Sequence, residues 1–209
     1  MPGTTVPHDA RSAIVAAMSD ALRQPPERMT VAEFLPWAEQ ARARGEGRFE
    51  LTDGIVYAMN AERVAHGETK LAVAVALISS IRRAGLPCHV MPDGTTVVVD
   101  DSTAYEPDAL VYCGERANPA GIAISDPIIL VEVISPSTGH IDRGDKLKNY
   151  FKIPAVQHYL MVYPDQRMVV HHQRADAGTL TTRISHDGEL HLEPPKLVVS
   201  VAELFAVPD

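Results

Sequence analysis

Ile128-Ile129-Leu130-Val131-Glu132-Val133-Ile134, followed by Ser135-Pro136-Ser137-Thr138, is the stretch on which the fold turns. A short apolar run rich in β-branched residues and ended by Ser-Pro is the pattern of a strand covered on both faces. One residue breaks the run. Glu132 stands between Val131 and Val133, and a carboxylate taken out of water costs several kcal/mol unless it is paired or holds a metal. Strand alternation puts Glu132 on the side of Leu130 and Ile134, opposite Val131 and Val133.

Working outward, Asp142-Arg-Gly-Asp-Lys-Leu-Lys-Asn-Tyr150 predicts a helix over 142–152 that turns Leu147, Tyr150 and Phe151 inward. Asp142, Lys146 and Tyr150 are four apart in succession and share one face. Lys146 borders the apolar stripe and can lean over the end of the Glu132 strand, whereas Lys148 points about 200° around the helix from it. Upstream, Asp108 opens a strand directly after Pro107, and Glu50 lies within a strand between Phe49 and Leu51. Three carboxylates brought together raise one another's pKa unless a hard cation resolves the repulsion.

The remaining chain alternates strands with one more long helix. Residues 1–28 read as a weakly ordered extension with a short helix over 9–22, closed by Pro25-Pro26. The domain spans 29–209 and begins with a helix that Thr30 caps, Glu33 standing in capping-box position. Thr52-Asp53-Gly54 signals a hairpin between strands at 48–51 and 55–59. A largely buried helix over 66–83 follows, with Leu71, Ala74, Val75, Ile78 and Ile81 or Arg82 at helical spacing and Val73 and Leu77 widening the apolar face, and Gly85 ends it. Further strands are expected at 89–91, 95–99, 108–112, 127–134, 158–163 and 168–172. Those at 179–184 and 189–192 are expected to pair around Asp187-Gly188, before a closing helix at 201–205. The order is that of an α/β fold: a mixed β-sheet flanked by helices, with extra antiparallel hairpins.

Composition sets bounds on function. The 209 residues are 45% hydrophobic and carry a net charge of −8, so no overall basic field draws the chain to nucleic acid. An acidic total suits a carboxylate site that needs a cation, and Arg82, Arg83, Arg143 and Lys148 offer only local basic contacts. Cys88 and Cys113 stand in no paired spacing, which fits a reducing cytoplasm and supports neither a disulfide nor a zinc site. No targeting segment is visible, and no run approaches 18 apolar residues, so no membrane span is expected. His171 and His172 are neighbours on opposite faces of a strand and read as surface residues. Ser137, His140 and Asp142 are crowded into six residues without a nucleophile elbow, and Met91-Pro-Asp-Gly94 reads as a turn alone.

Several pieces then fall into one order: Met29-Thr-Val-Ala-Glu-Phe-Leu35, Phe49-Glu-Leu-Thr-Asp-Gly54, His66 before the long helix, Pro107-Asp108, Glu132-Val-Ile-Ser-Pro-Ser-Thr138, Asp142…Lys146…Tyr150 and His158-Tyr-Leu-Met-Val162. This order, running from about Met29 to Leu204, resembles the Uma-type "putative restriction endonuclease" family within the PD-(D/E)xK nuclease superfamily. The resemblance implies a restriction-endonuclease-like core and a Mg²⁺- or Mn²⁺-dependent endonuclease acting on DNA, often as a homodimer. It implies Asp108 as the central metal ligand, Glu132 as the second carboxylate, Glu50 as the early acidic residue, and the Val133 carbonyl as a further ligand. The superfamily lysine belongs two residues after the glutamate, where this chain has Ile134; Lys146 on the next helix is the replacement. His66 and Asp142 are accessory candidates.

Each residue has a plainer alternative. Asp108 can cap local backbone, Glu132 can form a buried salt bridge to Lys146, Glu50 can lie exposed on an edge strand, and Lys146 can pair with Asp142. His66 and Asp142 can be helix caps. The rival functions are a catalytically silent nucleic-acid- or protein-binding module and a metal-dependent hydrolase of a small phosphoester.

Overall fold

A computed structural model describes residues 28–134 and 143–207. Its elements run α1 (Val31–Ala43), β1 (Phe49–Thr52), β2 (Ile55–Ala58), α2 (Val64–Ala84), β3 (Cys88–Pro92), β4 (Thr96–Asp100), β5 (Thr103–Tyr105), β6 (Ala109–Cys113), β7 (Ala123–Ile124) and β8 (Ile129–Val133). After these come α3 (Arg143–Tyr150), β9 (His158–Tyr163), β10 (Met168–Arg174), β11 (Leu180–Ser185), β12 (Glu189–Leu192), β13 (Leu197–Ser200) and a 3-10 turn at Ala202–Phe205. The expected extension, its helix over 9–22, and Ser137, His140 and Asp142 lie outside the described residues.

The centre is a six-stranded mixed sheet in the order β11-β10-β9-β8-β6-β3, in which only β8 and β9 run parallel. All five residues of β8 are buried, as an apolar run predicts for a central strand. Its alternate side chains serve two cores. Ile129, Val131 and Val133 pack with Val73 and Leu77 of α2 and with Leu192 and Leu197 of the β12–β13 ribbon. Leu130 joins Tyr150 of α3, Tyr159 and Tyr105 on the other face, so Glu132 faces α3 as alternation requires. A second sheet, β2-β1-β5-β4-β7, carries α1 against Leu51 and Ala104. Thr30 and Glu33 form the full capping box at the start of α1, and Asp53 and Gly54 take the positive φ values that the β1–β2 turn needs.

Four expectations are corrected. The buried face of α2 is centred on Lys70, Val73, Ala74, Leu77, Ser80 and Ile81, so that Val73 and Leu77, expected at its margin, lie at its centre, while Leu71 and Val75 are exposed. From Leu71 to Ile78 that helix is apolar all round, and such a run gives no unique phase. It is also the one helix among the described residues long and apolar enough to cross a membrane by length and composition, with half of its apolar window buried in the domain. The strand at 180–185 pairs with β10, whereas β12 pairs with β13, because Leu190 and Leu192 alternate into the core beneath the sheet. The β3–β6 register sets Cys88 directly opposite Cys113, and the two form a disulfide across 25 residues of sequence. Cysteine usage therefore gives no support for a reducing compartment.

The histidines are the fourth correction. His171 and His172 are both buried, because β11 covers β10 and the chain at Pro194 closes over it. His171 Nε2 lies 2.9 Å from His158 Nδ1, and His158 Nε2 lies 2.8 Å from the Pro194 carbonyl oxygen.

Candidate active site

Three strand-borne carboxylates and two helix-borne lysines meet where β1, β6 and β8 approach α2 and α3. Glu132 Oε1 accepts hydrogen bonds from the Tyr150 hydroxyl at 2.7 Å and from Lys146 Nζ at 3.0 Å. Lys146 Nζ also donates to Glu50 Oε1 at 2.8 Å and lies 5.2 Å from the centre of the Tyr105 ring. The same Glu50 oxygen accepts the Glu106 N–H at 3.0 Å, so Glu50 points inward rather than to solvent. Asn149 donates to the Tyr105 hydroxyl at 2.7 Å and braces α3 against the second sheet. Lys148 is exposed, on the far side of the helix.

Asp108 is tied to the end of β8 and to α2. Its Oδ2 accepts the Val133 N–H at 2.6 Å, and its Oδ1 lies 2.6 Å from Lys70 Nζ. Lys70 also contacts Asp93 at 3.0 Å and Glu62, and Asp93 and Glu106 are both bound by Arg48. His66 Nε2 is 3.8 Å from Asp108 Oδ2. It sits in the first turn of α2, whose N-cap is Arg63 with no side-chain cap bond, so His66 caps nothing. Glu62, His66 and Asp108 each present a ligand atom, all within 4.8 Å of one another, and could hold a metal ion.

The arrangement has more negative than positive charge. Among the described residues, Glu50, Glu62, Asp93, Glu106, Asp108 and Glu132 face three permanent cations, Arg48, Lys70 and Lys146. Burial pushes the Glu132 carboxyl up to about 7, with the neighbouring carboxylates adding to it and Lys146 opposing. Burial raises Asp108 as well, against the pull of Lys70. Lys146 is held well above its ordinary value by Glu132 and Glu50, which outweigh its burial. Burial and the Lys70 charge lower His66, leaving a neutral imidazole near neutral pH. Hard oxygen donors in surplus, with one neutral imidazole, are a donor set that a divalent cation would satisfy.

Glu50, Glu132 and Lys146, chosen from sequence, are brought into direct contact, and the salt bridge weighed as the plainer alternative for Glu132 is present. Asp108 joins them through Val133, which engages it by its N–H. Sequence reading missed Lys70, Glu62, Asp93, Arg48 and Glu106. Lys70 was hidden by the phase assigned to α2; the correct phase shows a lysine on a buried stripe. Asp93 sits in the turn read as a turn alone.

Comparison with known proteins identifies the family and the fold. The family model described as Uma2, "putative restriction endonuclease", matches residues 31–203. An uncharacterised protein from Synechocystis is 26% identical over 175 residues, covering 83% of this chain and 89% of its own length. The crystal structure of a "putative nuclease" from Anabaena variabilis superposes with a TM-score of 0.65 over 85% of this chain and 97% of that one; at 17% identity it establishes the fold.

Proposed function

This chain belongs to the Uma2 family of "putative restriction endonucleases", and from that premise we propose that it is a divalent-metal-dependent nuclease hydrolysing DNA phosphodiester bonds. The observation that carries the reading is Lys146 Nζ within 3.0 Å of both Glu50 and Glu132, beside an Asp108 fixed by the Val133 N–H. Asp108, Glu132 and Glu50, with the Val133 carbonyl, would hold Mg²⁺ or Mn²⁺. A bound ion of that kind supplies Lewis acidity toward the phosphate and makes water a stronger nucleophile.

The chain's own residues do the rest. The Val133 N–H and Lys70 fix the Asp108 carboxylate from two sides, and the Tyr150 hydroxyl fixes Glu132. Lys146 orients the attacking water and offsets negative charge developing on the phosphate. Neutral His66 accepts a proton or donates a nitrogen ligand beside Asp108. Cutting both strands of a duplex would take two copies of the chain, and a homodimer is part of the proposal.

The test is calorimetric titration of Mn²⁺ into the wild type and Asp108→Asn, followed by plasmid incubation in the same buffer. Asparagine keeps the acceptor for the Val133 N–H, so the fold should persist while Mn²⁺ binding and nicking disappear. Undiminished nicking by the variant sinks the assignment. A second reading, a silent binding module, draws on Ile134 at the superfamily lysine position and on the lysine partners that the carboxylates already have. It is favoured if the wild type takes up no Mn²⁺.

A further inference from the structure

A cleft of about 690 Å³, lined in part by Arg42, Phe49, Tyr112 and Arg116, opens beside the carboxylates. Arg48 and Glu106 line it too, so it shares two residues with the site. Arg42 lies across the Asp93-Gly94 turn: a methyl group on Gly94 would meet its Nη2 at 3.2 Å. The neighbouring Asp93 binds Lys70, which binds Asp108. An unbroken chain of contacts thus joins the cleft to the proposed metal ligands.

Its charges are distributed in a way that the net charge conceals. Arg48 is already held by Asp93 and Glu106, so it adds no free positive charge to the cleft. Arg42 and Arg116 are exposed and form no ion pair among the described residues, leaving two arginines against Glu39. Half-buried Phe49, Met91 and Tyr112 give the same cleft aromatic and apolar surface. The volume is that of a small-ligand cleft, far too small for a duplex. Exposed arginines and aromatic rings lining one cleft suit a phosphate with a base attached.

We propose that this cleft receives one unstacked nucleotide of the DNA strand next to the bond to be cut, its phosphate on Arg42 and Arg116 and its base against Tyr112 and Phe49. The inference rests on the nuclease reading for the neighbouring carboxylates and narrows the substrate to DNA with an unpaired nucleotide at the site. Single-stranded ends, flaps or bubbles are then bound better than a continuous duplex.

The test is fluorescence anisotropy of a labelled single-stranded 12-mer and the matching duplex in EDTA, with the wild type, Arg42→Ala/Arg116→Ala and Tyr112→Ala. Both arginines are exposed, so the double variant should fold, as circular dichroism checks. The expected result is a single strand bound at least about tenfold more tightly than the duplex, and about tenfold or more lost in the arginine variant. The salt slope for the single strand should also fall by about 0.7 when that one phosphate contact goes. Deoxyadenosine monophosphate at millimolar concentration should compete. Tyr112→Ala removes the stacking ring and should weaken the single strand by about fivefold or more; undiminished binding there counts against the base position. Equal binding by the arginine variant, a duplex bound as tightly as the single strand, or no binding by the wild type overturns the inference. Because binding is read without metal, a failed nuclease reading shows separately, as strand binding without Mn²⁺-dependent cleavage.

Discussion

Lys146 and Lys70 reach the site from helices on opposite faces of one sheet, and their surroundings differ. Lys146 stands between Glu50 and Glu132 beside the Tyr105 ring, in a pocket floored by Tyr150. Lys70 is paired with Asp108, Asp93 and Glu62, and Arg48 shares the Asp93 carboxylate with it. The first lysine sits at two acids that strands β1 and β8 deliver. The second is one link of a longer network that reaches the helix start and a turn. On the nuclease reading, this contrast gives the chemistry to Lys146 and the positioning of Asp108 to Lys70.

Activity should show the largest effect. On the nuclease reading, Lys146→Met lowers plasmid nicking by about 10²–10³-fold, the scale for loss of one preorganised electrostatic group. Lys70→Met, which acts only through Asp108, should cost less than about tenfold. Equal losses measured under Mn²⁺ saturation would erase the distinction between the two lysines.

Stability sharpens it next. Removing one partner of a buried ion pair costs about 3 kcal/mol or more, because the remaining charge is stranded. Urea titration of Lys146→Met should show a loss of that order, and adding Glu132→Gln should recover part of it. A double variant whose losses simply add would mean that the pair is not coupled.

The pH dependence is smaller and has a definite sign. The Glu132 carboxyl rises on folding from its ordinary value near 4.5 to about 7. A raised carboxyl stabilises the fold fully below about 4.5 and loses that contribution as pH climbs through 7. Thermal midpoints of the wild type should therefore fall over this window relative to Glu132→Gln, in which the contribution is absent. Parallel curves would show that Glu132 does not titrate there.

The smallest effect sets the scale. Arg83 and Glu203 form an exposed pair at the far end of α2, and Arg83→Ala should leave both the urea midpoint and Mn²⁺ uptake essentially unchanged.

The legibility of the chain follows the same contrast. Glu132 was readable because a single acid in an apolar strand has few physical explanations, and Lys146 because it lies on a short helix with one clear apolar stripe. Lys70 was not, since α2 is apolar all round from Leu71 to Ile78 and its phase is set by the sheet beneath it. The α1 capping box and the β1–β2 turn follow local rules and appear where those rules put them. The β12–β13 pairing and the Cys88–Cys113 bridge depend on which strands the whole fold brings together, and no local signal carries that. Glu62, Asp93 and Glu106 come from a helix entrance, a turn and a strand end, positions where acids are ordinary.

The buried pair His158 and His171 has a consequence of its own. The Pro194 carbonyl can only accept, so His158 must carry its hydrogen on Nε2 and offer a bare Nδ1 to the hydrogen on His171 Nε2. One tautomer of each ring satisfies both contacts, and a second proton on His158 would set two N–H groups against each other. Burial, with His158 alongside, accordingly holds His171 down to about 4. A lowered imidazole contributes stability above about 6.5 that is lost as pH falls toward 4, the reverse of the Glu132 slope. The carboxylates at one end of the sheet and the imidazoles at β9–β10 thus tilt the stability curve in opposite directions across the same pH interval.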